Sequence, residues 1–487
     1  MAVECDWMGN TKPFSGFSFL PLDALNEVIT PNIVKAQLSP MDDFNRIVEL
    51  SKKIFAILGF IEAEERIRDL FKDGLRDEHL PLKIIGGTQE YNLLISSGAR
   101  CRGREFRSFS KWRDIEIEYF VRRQWLVLAP VFTTRGEHIN IDGDTPLPLY
   151  DITKIAVTAR ATVYSGILHA AHIVPRPTHH IKVAVKHHDS LESFHEEKGT
   201  LTKVQALKHP HLIQYIATVQ QGDLSYTIFP WANGGNLCDF WRSYPNALPT
   251  RSFGTFLWCF QQMVGLVDAL FALHGVNCRH DDLRPDHILH FNDQDNSSVG
   301  GTLVIAFFHH AARHRISSEL RHDLEDTRAS SPVYEPPEAT SYEPRSRRYD
   351  MWSIGCIFME FAIWLLYGYD AIEKFRELLR DQESPPSQHG AFHKNIEGDT
   401  IIIPPVVSRG FDALRNDPRC AKGTGLEGLV SLISNDLIVI DPKGRANAEI
   451  SRVKLREIVQ KAEKDPSYLI KNVEAPPKVP DVFGGEI

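Results

Sequence analysis

Apolar residues recur at helical spacing early in the chain, at Ile54, Ile57, Leu58 and Ile61 behind Ser51, and again at Ile67, Leu70 and Phe71. Two amphipathic helices are expected there, their apolar stripes turned to a core. An aromatic-rich cluster follows, with Trp112, Tyr119, Phe120, Trp125 and Phe132, and ends in the apolar run Trp125 to Phe132. A Gly/Asp/Pro stretch, Asp142 to Pro148, then breaks the pattern and marks the natural boundary of a mainly helical first region, 1–147. Beyond it Leu201, Val204 and Leu207 return to helical spacing. The longest apolar run, Ile354 to Tyr367, is too short to cross a bilayer and contains Glu360. Asp381 to Gly390 reads as an exposed loop, and 466–487 as a flexible tail in which Pro476, Pro477 and Pro480 break what little apolar periodicity there is. No internal repeat is visible.

Composition narrows the classes without naming one. With 487 residues, 43% hydrophobic and 24% charged, the chain is ordinary globular protein of two or three domains. A net charge of -8 argues against nucleic acid and anionic membranes as partners, since both select basic surfaces. The 7 cysteines form no Cys-x-x-Cys pair and read as free thiols of a reducing compartment. Met1 to Pro13 lacks a basic stretch followed by an apolar core, so no signal peptide is expected and a cytoplasmic location is. The adjacent pairs His179-His180, His187-His188 and His309-His310 do not suggest a shared metal, because neighbours in a strand point to opposite faces.

The chemistry lies in six stretches in fixed order. They are Val183-Ala184-Val185-Lys186, Phe194-His195-Glu196-Glu197 before His209-Pro210, His280-Asp281-Asp282-Leu283-Arg284-Pro285-Asp286-His287, Glu335-Pro336-Pro337-Glu338, Asp350-Met351-Trp352-Ser353-Ile354-Gly355 and Asp441-Pro442-Lys443-Gly444-Arg445. From about Ile155 to about Val459 this series resembles the protein kinase superfamily, and its wording most resembles kinase-like proteins of filamentous fungi. The resemblance implies an α+β bilobal fold: a small β-rich N-lobe over 148–229, a large helical C-lobe over 233–465, and the mainly helical region 1–147 in front.

It also implies roles. Lys186 would neutralise the α/β phosphates of ATP and pair with a helix glutamate, for which Glu197 is the candidate, although tighter counting from His209-Pro210 lands on Thr200. Asp282 stands where the base accepts the substrate hydroxyl proton, and Arg284 where serine/threonine kinases carry lysine. The alternative for Asp282 is a carboxylate kept to hydrogen-bond nearby backbone. Val163, Ala184 and Leu289 match the walls of the adenine slot and could equally be plain core. Phe229 is the gatekeeper, with the Pro230 carbonyl and the Ala232 N–H facing adenine. Asp350 would hold the catalytic-loop backbone, and Glu338 would pair with Arg445.

Four departures bear on activity. Ala156, Thr158 and Ala161 occupy the three positions of the phosphate-covering glycine loop, where a missing Cβ lets N–H groups approach phosphate. After Thr302 to Ala306 the metal-binding Asp is Phe307, in Phe307-Phe308-His309, and the metal-binding Asn of the catalytic loop is His287. Magnesium wants oxygen ligands, so no metal site is expected. Asp293 and Asp295 read as a solvated turn; Asp281 or Asp286 is the alternative for a repurposed ligand. Asp281 replaces an Arg that clamps phosphorylated activation loops, which makes Ser317, Ser318, Thr327, Ser330 and Ser331 ordinary loop hydroxyls. The expectation is a pseudokinase acting through protein partners, with ATP bound weakly at most and no magnesium. The alternatives are a slow ATP-dependent serine/threonine kinase using Lys186 and Asp282, and a nucleotide-sensing binding module.

Overall fold

The computed structural model describes residues 3–4, 14, 18–38, 44–85, 93–96, 103–158, 160–244, 253–292, 300–306, 332–340, 346–381, 390–396, 400–471, 473 and 477–485. They form two compact units, one of 1–194 with 215–231 and one of 195–214 with 232–487.

In the first unit the two expected helices form as Lys52–Phe60 and Ile67–Lys72. Ile54, Ile57, Leu58, Ile67 and Leu70 are fully buried and share a core with Phe106, Phe109 and Phe120. Each such side chain contributes about 1.5–3 kcal/mol by leaving water. Helix Lys52–Phe60 is capped from a distance: the Asp77 carboxylate accepts the N–H groups of Lys53 at 3.0 Å and Ile54 at 3.1 Å, two of the donors that a helix start leaves unpaired. Within the aromatic cluster Trp112 and Phe120 are buried, whereas Tyr119 is 51% exposed. The region is mixed as well as helical, since Leu82–Ile85, Leu93–Ser96 and Glu105–Phe106 form a three-stranded antiparallel sheet.

The same unit holds a six-stranded sheet of β1 (Glu137–Ile141), β2 (Leu149–Val157), β3 (Ala161–Leu168), β4 (Ile181–His188), β5 (Ala217–Gln221) and β6 (Leu224–Pro230). Its order is β1-β5-β6-β4-β3-β2, with only the β1–β5 pair parallel. β1 comes from the first region and closes an edge that would otherwise offer unpaired backbone groups. The expected boundary at 147 therefore cuts through one compact unit. One face of the sheet carries Tyr164, Val183, Val185, Tyr226 and Ile228, all buried with Phe14 and Phe132. The Phe14 ring lies 5.3 Å from both Tyr164 and Tyr226.

The second unit is helical. Phe253–Gly275 and Arg348–Tyr367 are long and apolar enough to cross a membrane, yet every residue from Tyr349 to Tyr367 is buried in protein, which is why that helix is apolar on all sides. Of its two acids, Asp350 and Glu360, the mid-helix Glu360 receives Arg376 Nε at 2.7 Å, Arg376 Nη2 at 2.9 Å and the Tyr334 hydroxyl at 2.9 Å. A buried charge survives only with such partners. Ile288–Phe291 and Thr302–Ile305 pair as a short antiparallel ribbon.

Of the stretch 466–487, where a flexible tail is expected, the described residues include buried ones. Leu469, Val482 and Phe483 are buried, and the Leu426 N–H donates to the Leu469 carbonyl at 2.8 Å. Three buried apolar side chains are too few to register as periodicity. Most of the loop expected over 381–390 lies outside the described residues.

Candidate nucleotide and phosphotransfer site

The sheet register in the first unit puts Val163, Ala184, Lys186 and Phe229 on one face. Val163 is the Cα partner of Lys186, and Ala184 that of Phe229. This is the face opposite the Tyr164–Tyr226 core. Val163, Ala184 and Phe229 are half-buried where the core face is sealed. Lys186 is 4% exposed. Pro230 ends β6 opposite Val183, and its missing N–H leaves the ladder intact because Trp231 N–H next donates to the Lys182 carbonyl at 3.2 Å.

The hairpin between β2 and β3 stands where a glycine loop would cover phosphate. Here the Thr158 hydroxyl folds back on its own turn, accepting the Ala161 N–H at 3.1 Å and donating to the Ala161 carbonyl at 2.9 Å. The Thr158 N–H goes to that same carbonyl at 2.8 Å, and the Arg160 carbonyl takes the Asp189 N–H at 3.0 Å. Two N–H groups that could meet an anion are thus spent inside the turn, and the hairpin tip is tied to the end of β4.

In the second unit the catalytic-loop stretch hangs on Asp350, which is wholly buried. Its carboxylate accepts the N–H groups of His280 at 3.0 Å and Asp281 at 2.9 Å, and His274 Nε2 at 2.8 Å. Burial alone would raise this carboxyl, but the His274 hydrogen bond and charge outweigh it and hold Asp350 below the usual range. His280 Nε2 donates to the Ala306 carbonyl at 2.7 Å, so the residue before Phe307 is anchored, while Phe307 itself lies outside the described residues.

His287 fills the position of the metal-binding Asn, and its ring is engaged on both sides. Nδ1 donates to the Asp282 carbonyl at 2.7 Å, and Nε2 accepts Arg284 Nε at 3.1 Å, which fixes the neutral Nδ1–H tautomer. The Asp282 carboxylate is 3.5 Å from Nδ1. Burial pushes the Asp282 carboxyl up to about 6; Arg284 pulls it back, and Glu335, Asp286 and Asp281 add to the rise. The described donors do not fit magnesium: imidazole nitrogens stand where an oxygen is needed, and neither has a lone pair to spare. Among the described residues no three His, Cys, Asp or Glu side chains cluster as a metal site.

Leu289 and the linker residues come together, since Leu289 bridges Asn236, His290 N–H donates to the Gly235 carbonyl at 2.8 Å, and Gly234 N–H donates to the His290 carbonyl at 3.0 Å. A side chain at Gly234 would collide with the His290 ring, so glycine is required there. Ala232 precedes this junction and its carbonyl accepts the Gly235 N–H at 3.2 Å. Glu197 and Thr200 both lie on the buried face of helix Leu191–Leu207, and only Glu197 carries a charge that could answer a lysine.

The expected residues thus divide between units: Val163, Ala184, Lys186, Phe229 and Pro230 in the first, Glu197, Ala232, Asp282, Arg284, His287 and Leu289 in the second. Glu338 pairs with Arg445 as expected, at 2.6 and 3.0 Å. Sequence reasoning missed Arg279, whose Nε lies 3.1 Å from Asp281 Oδ1 and answers the charge introduced in place of an arginine. It also missed His274, whose tie to Asp350 has no local signal across 76 positions of chain.

Residues 163–397 match the family model described as protein kinase domain. A calcium/calmodulin-dependent protein kinase of Metarhizium anisopliae is 26% identical over 202 residues, 41% of this chain and 48% of that protein. Human serine/threonine-protein kinase H1 is 26% identical over 303 residues, 59% of this chain and 66% of that protein. A serine/threonine-protein kinase H1 homolog of Pinctada fucata is 25% identical over 194 residues, 40% of this chain and 42% of that protein. The chain spans 42% to 66% of the length of these relatives. With the α+β architecture, the Asp350-anchored loop and the Glu338–Arg445 pair in place, the chain carries, over residues 163–397, a protein kinase domain of the protein kinase superfamily.

Proposed function

We propose that this protein is a pseudokinase, a kinase-fold scaffold or regulator that works by binding protein partners and holds ATP weakly, without magnesium. The observation that carries the reading is His287, which stands at a metal position with both ring nitrogens committed to Asp282 and Arg284. The Thr158 turn supports it, because the backbone donors of a phosphate cover are consumed locally. Phosphoryl transfer is positioning plus neutralisation of polyphosphate charge, and one lysine is a poor substitute for lysine with two metal contacts.

A second reading, a slow serine/threonine kinase using Lys186 and Asp282, draws on a carboxyl held at about 6, within the range of a working base. Titration with ATP, with and without magnesium or manganese, read for binding and for phosphate transfer in one preparation, separates the two. The scaffold reading expects affinity that metal changes by less than about twofold and no transfer above background. Transfer that Asp282→Asn abolishes would establish the kinase reading instead. Tight, saturable nucleotide binding without transfer would favour a nucleotide sensor.

A further inference from the structure

The segment 477–485 forms a self-contained turn. Phe483 and Gly485 N–H groups donate to the Pro480 carbonyl at 2.9 and 3.0 Å, and Gly484 N–H donates to the Asp481 carbonyl at 3.0 Å. Gly484 has φ +93°, and a side chain at Gly485 would collide with the Val479 carbonyl, so the sequence Pro480-Asp481-Val482-Phe483-Gly484-Gly485 is fitted to this shape. The turn presents Val482 and Phe483, each 2% exposed, to the second unit. The Phe483 ring packs 5.1 Å from Tyr367 and 6.0 Å from Phe375. Gly410 makes the room: a Cβ there would stand 2.7 Å from Met359 Cε and 3.8 Å from Phe483 Cε1.

Two further features set this contact apart from ordinary core. Among the described residues no hydrogen bond ties 477–485 to the rest of the unit, so apolar contact of two side chains is what holds it. The segment also leaves its groove incompletely filled. A cavity of about 370 Å³ remains beside it, walled by Tyr367, Arg409, Asp412 and Asp417 and, on the other side, by Pro477 and Val482. Apolar side chains of a short segment seated in a groove are one of the ways in which peptides are recognised by proteins.

We infer that the groove of Tyr367, Phe375 and helix Pro405–Asn416 is a peptide-docking site. In this structure it is held in cis by Pro480–Gly485, and its partner is a protein segment presenting an aliphatic-aromatic pair on a Pro-Asp turn. This rests on the scaffold reading and names the kind of partner. Tethering gives the cis segment an effective concentration of order millimolar, so it masks the groove until a partner outcompetes it.

The test is fluorescence anisotropy with a labelled peptide of residues 477–487 as the probe. Full-length protein carrying Phe483→Ala, with its fold checked by thermal denaturation, is expected to bind the probe with Kd of roughly 10–100 µM. The unaltered protein should bind it at least about tenfold more weakly, and a probe carrying Phe483→Ala should not bind. A second variant lacking 477–487 should behave as Phe483→Ala does. Folded variants that ignore the probe overturn the inference, and so does loss of fold in both variants, which would make the segment a fixed part of the core. Phosphate transfer in the same preparations tests the scaffold reading independently, since probe uptake needs no nucleotide.

Discussion

Asp282 holds the base position of the catalytic-loop stretch, and its environment opposes its charge. Its folded carboxyl sits at about 6 against an ordinary 3.8, raised first by burial. A raised carboxyl makes the folded state bind more protons than the unfolded one, so stability falls as pH rises from about 4 to about 6 and stays lower above that. Asp282→Asn is therefore expected to be more stable than the unaltered protein at pH 8 by about 1–3 kcal/mol, and indistinguishable near pH 3.5, in denaturant titrations at both pH values. His172 runs the other way. Burial drives its imidazole down to about 4, although its Nδ1 donates to the Pro130 carbonyl at 2.9 Å. The unfolded chain then binds more protons below pH 6.5, and the first unit should lose on the order of 3 kcal/mol between pH 6.5 and 4. His172→Asn should flatten that part of the pH profile; an unchanged slope would place the loss elsewhere. Neither shift is legible from sequence, because each arises from residues that fold over the site.

At the scale of elements, Arg445 joins pieces that are distant in the chain. Its guanidinium meets Glu338 at 2.6 Å, the Arg348 carbonyl at 2.9 Å and the Val439 carbonyl at 2.9 Å, so the segment 332–340, the helix Arg348–Tyr367 and the stretch 439–445 share one fully buried cation. Arg445→Met would take away the buried cation that Glu338 and these carbonyls share, and a loss of about 3–5 kcal/mol is expected in equilibrium unfolding. The pair was legible because both partners sit in recognisable stretches. The Glu360–Arg376–Tyr334 cluster was not, since Arg376 has no motif around it and becomes a partner only when helix Tyr369–Arg380 folds back on its predecessor. The edge strand Glu137–Ile141 was missed for the same reason. Its identity as a strand depends on Ala217–Gln221, some 80 residues later, offering it backbone partners.

For the whole molecule, the decisive prediction concerns metal. The double change His287→Asn and Phe307→Asp restores both oxygen ligands and is expected to make ATP affinity at least about tenfold stronger with magnesium than without, by calorimetry. No metal-dependent gain would mean that more than these two positions blocks the nucleotide. By itself the sequence determined the family, the division into a β-rich and a helical part, and the presence of His and Phe at the two positions aligned with kinase metal ligands, because ordered motifs and the chemistry of Asn against His can be read one residue at a time. Only the tertiary structure decided that the His287 ring is saturated by its neighbours, that the Thr158 turn consumes its own donors, that the first region supplies a strand to the six-stranded sheet, and that 477–485 is seated in a groove. Each of these depends on where a lone pair, an N–H or an apolar side chain finds its partner, and that is set by folding rather than by order along the chain.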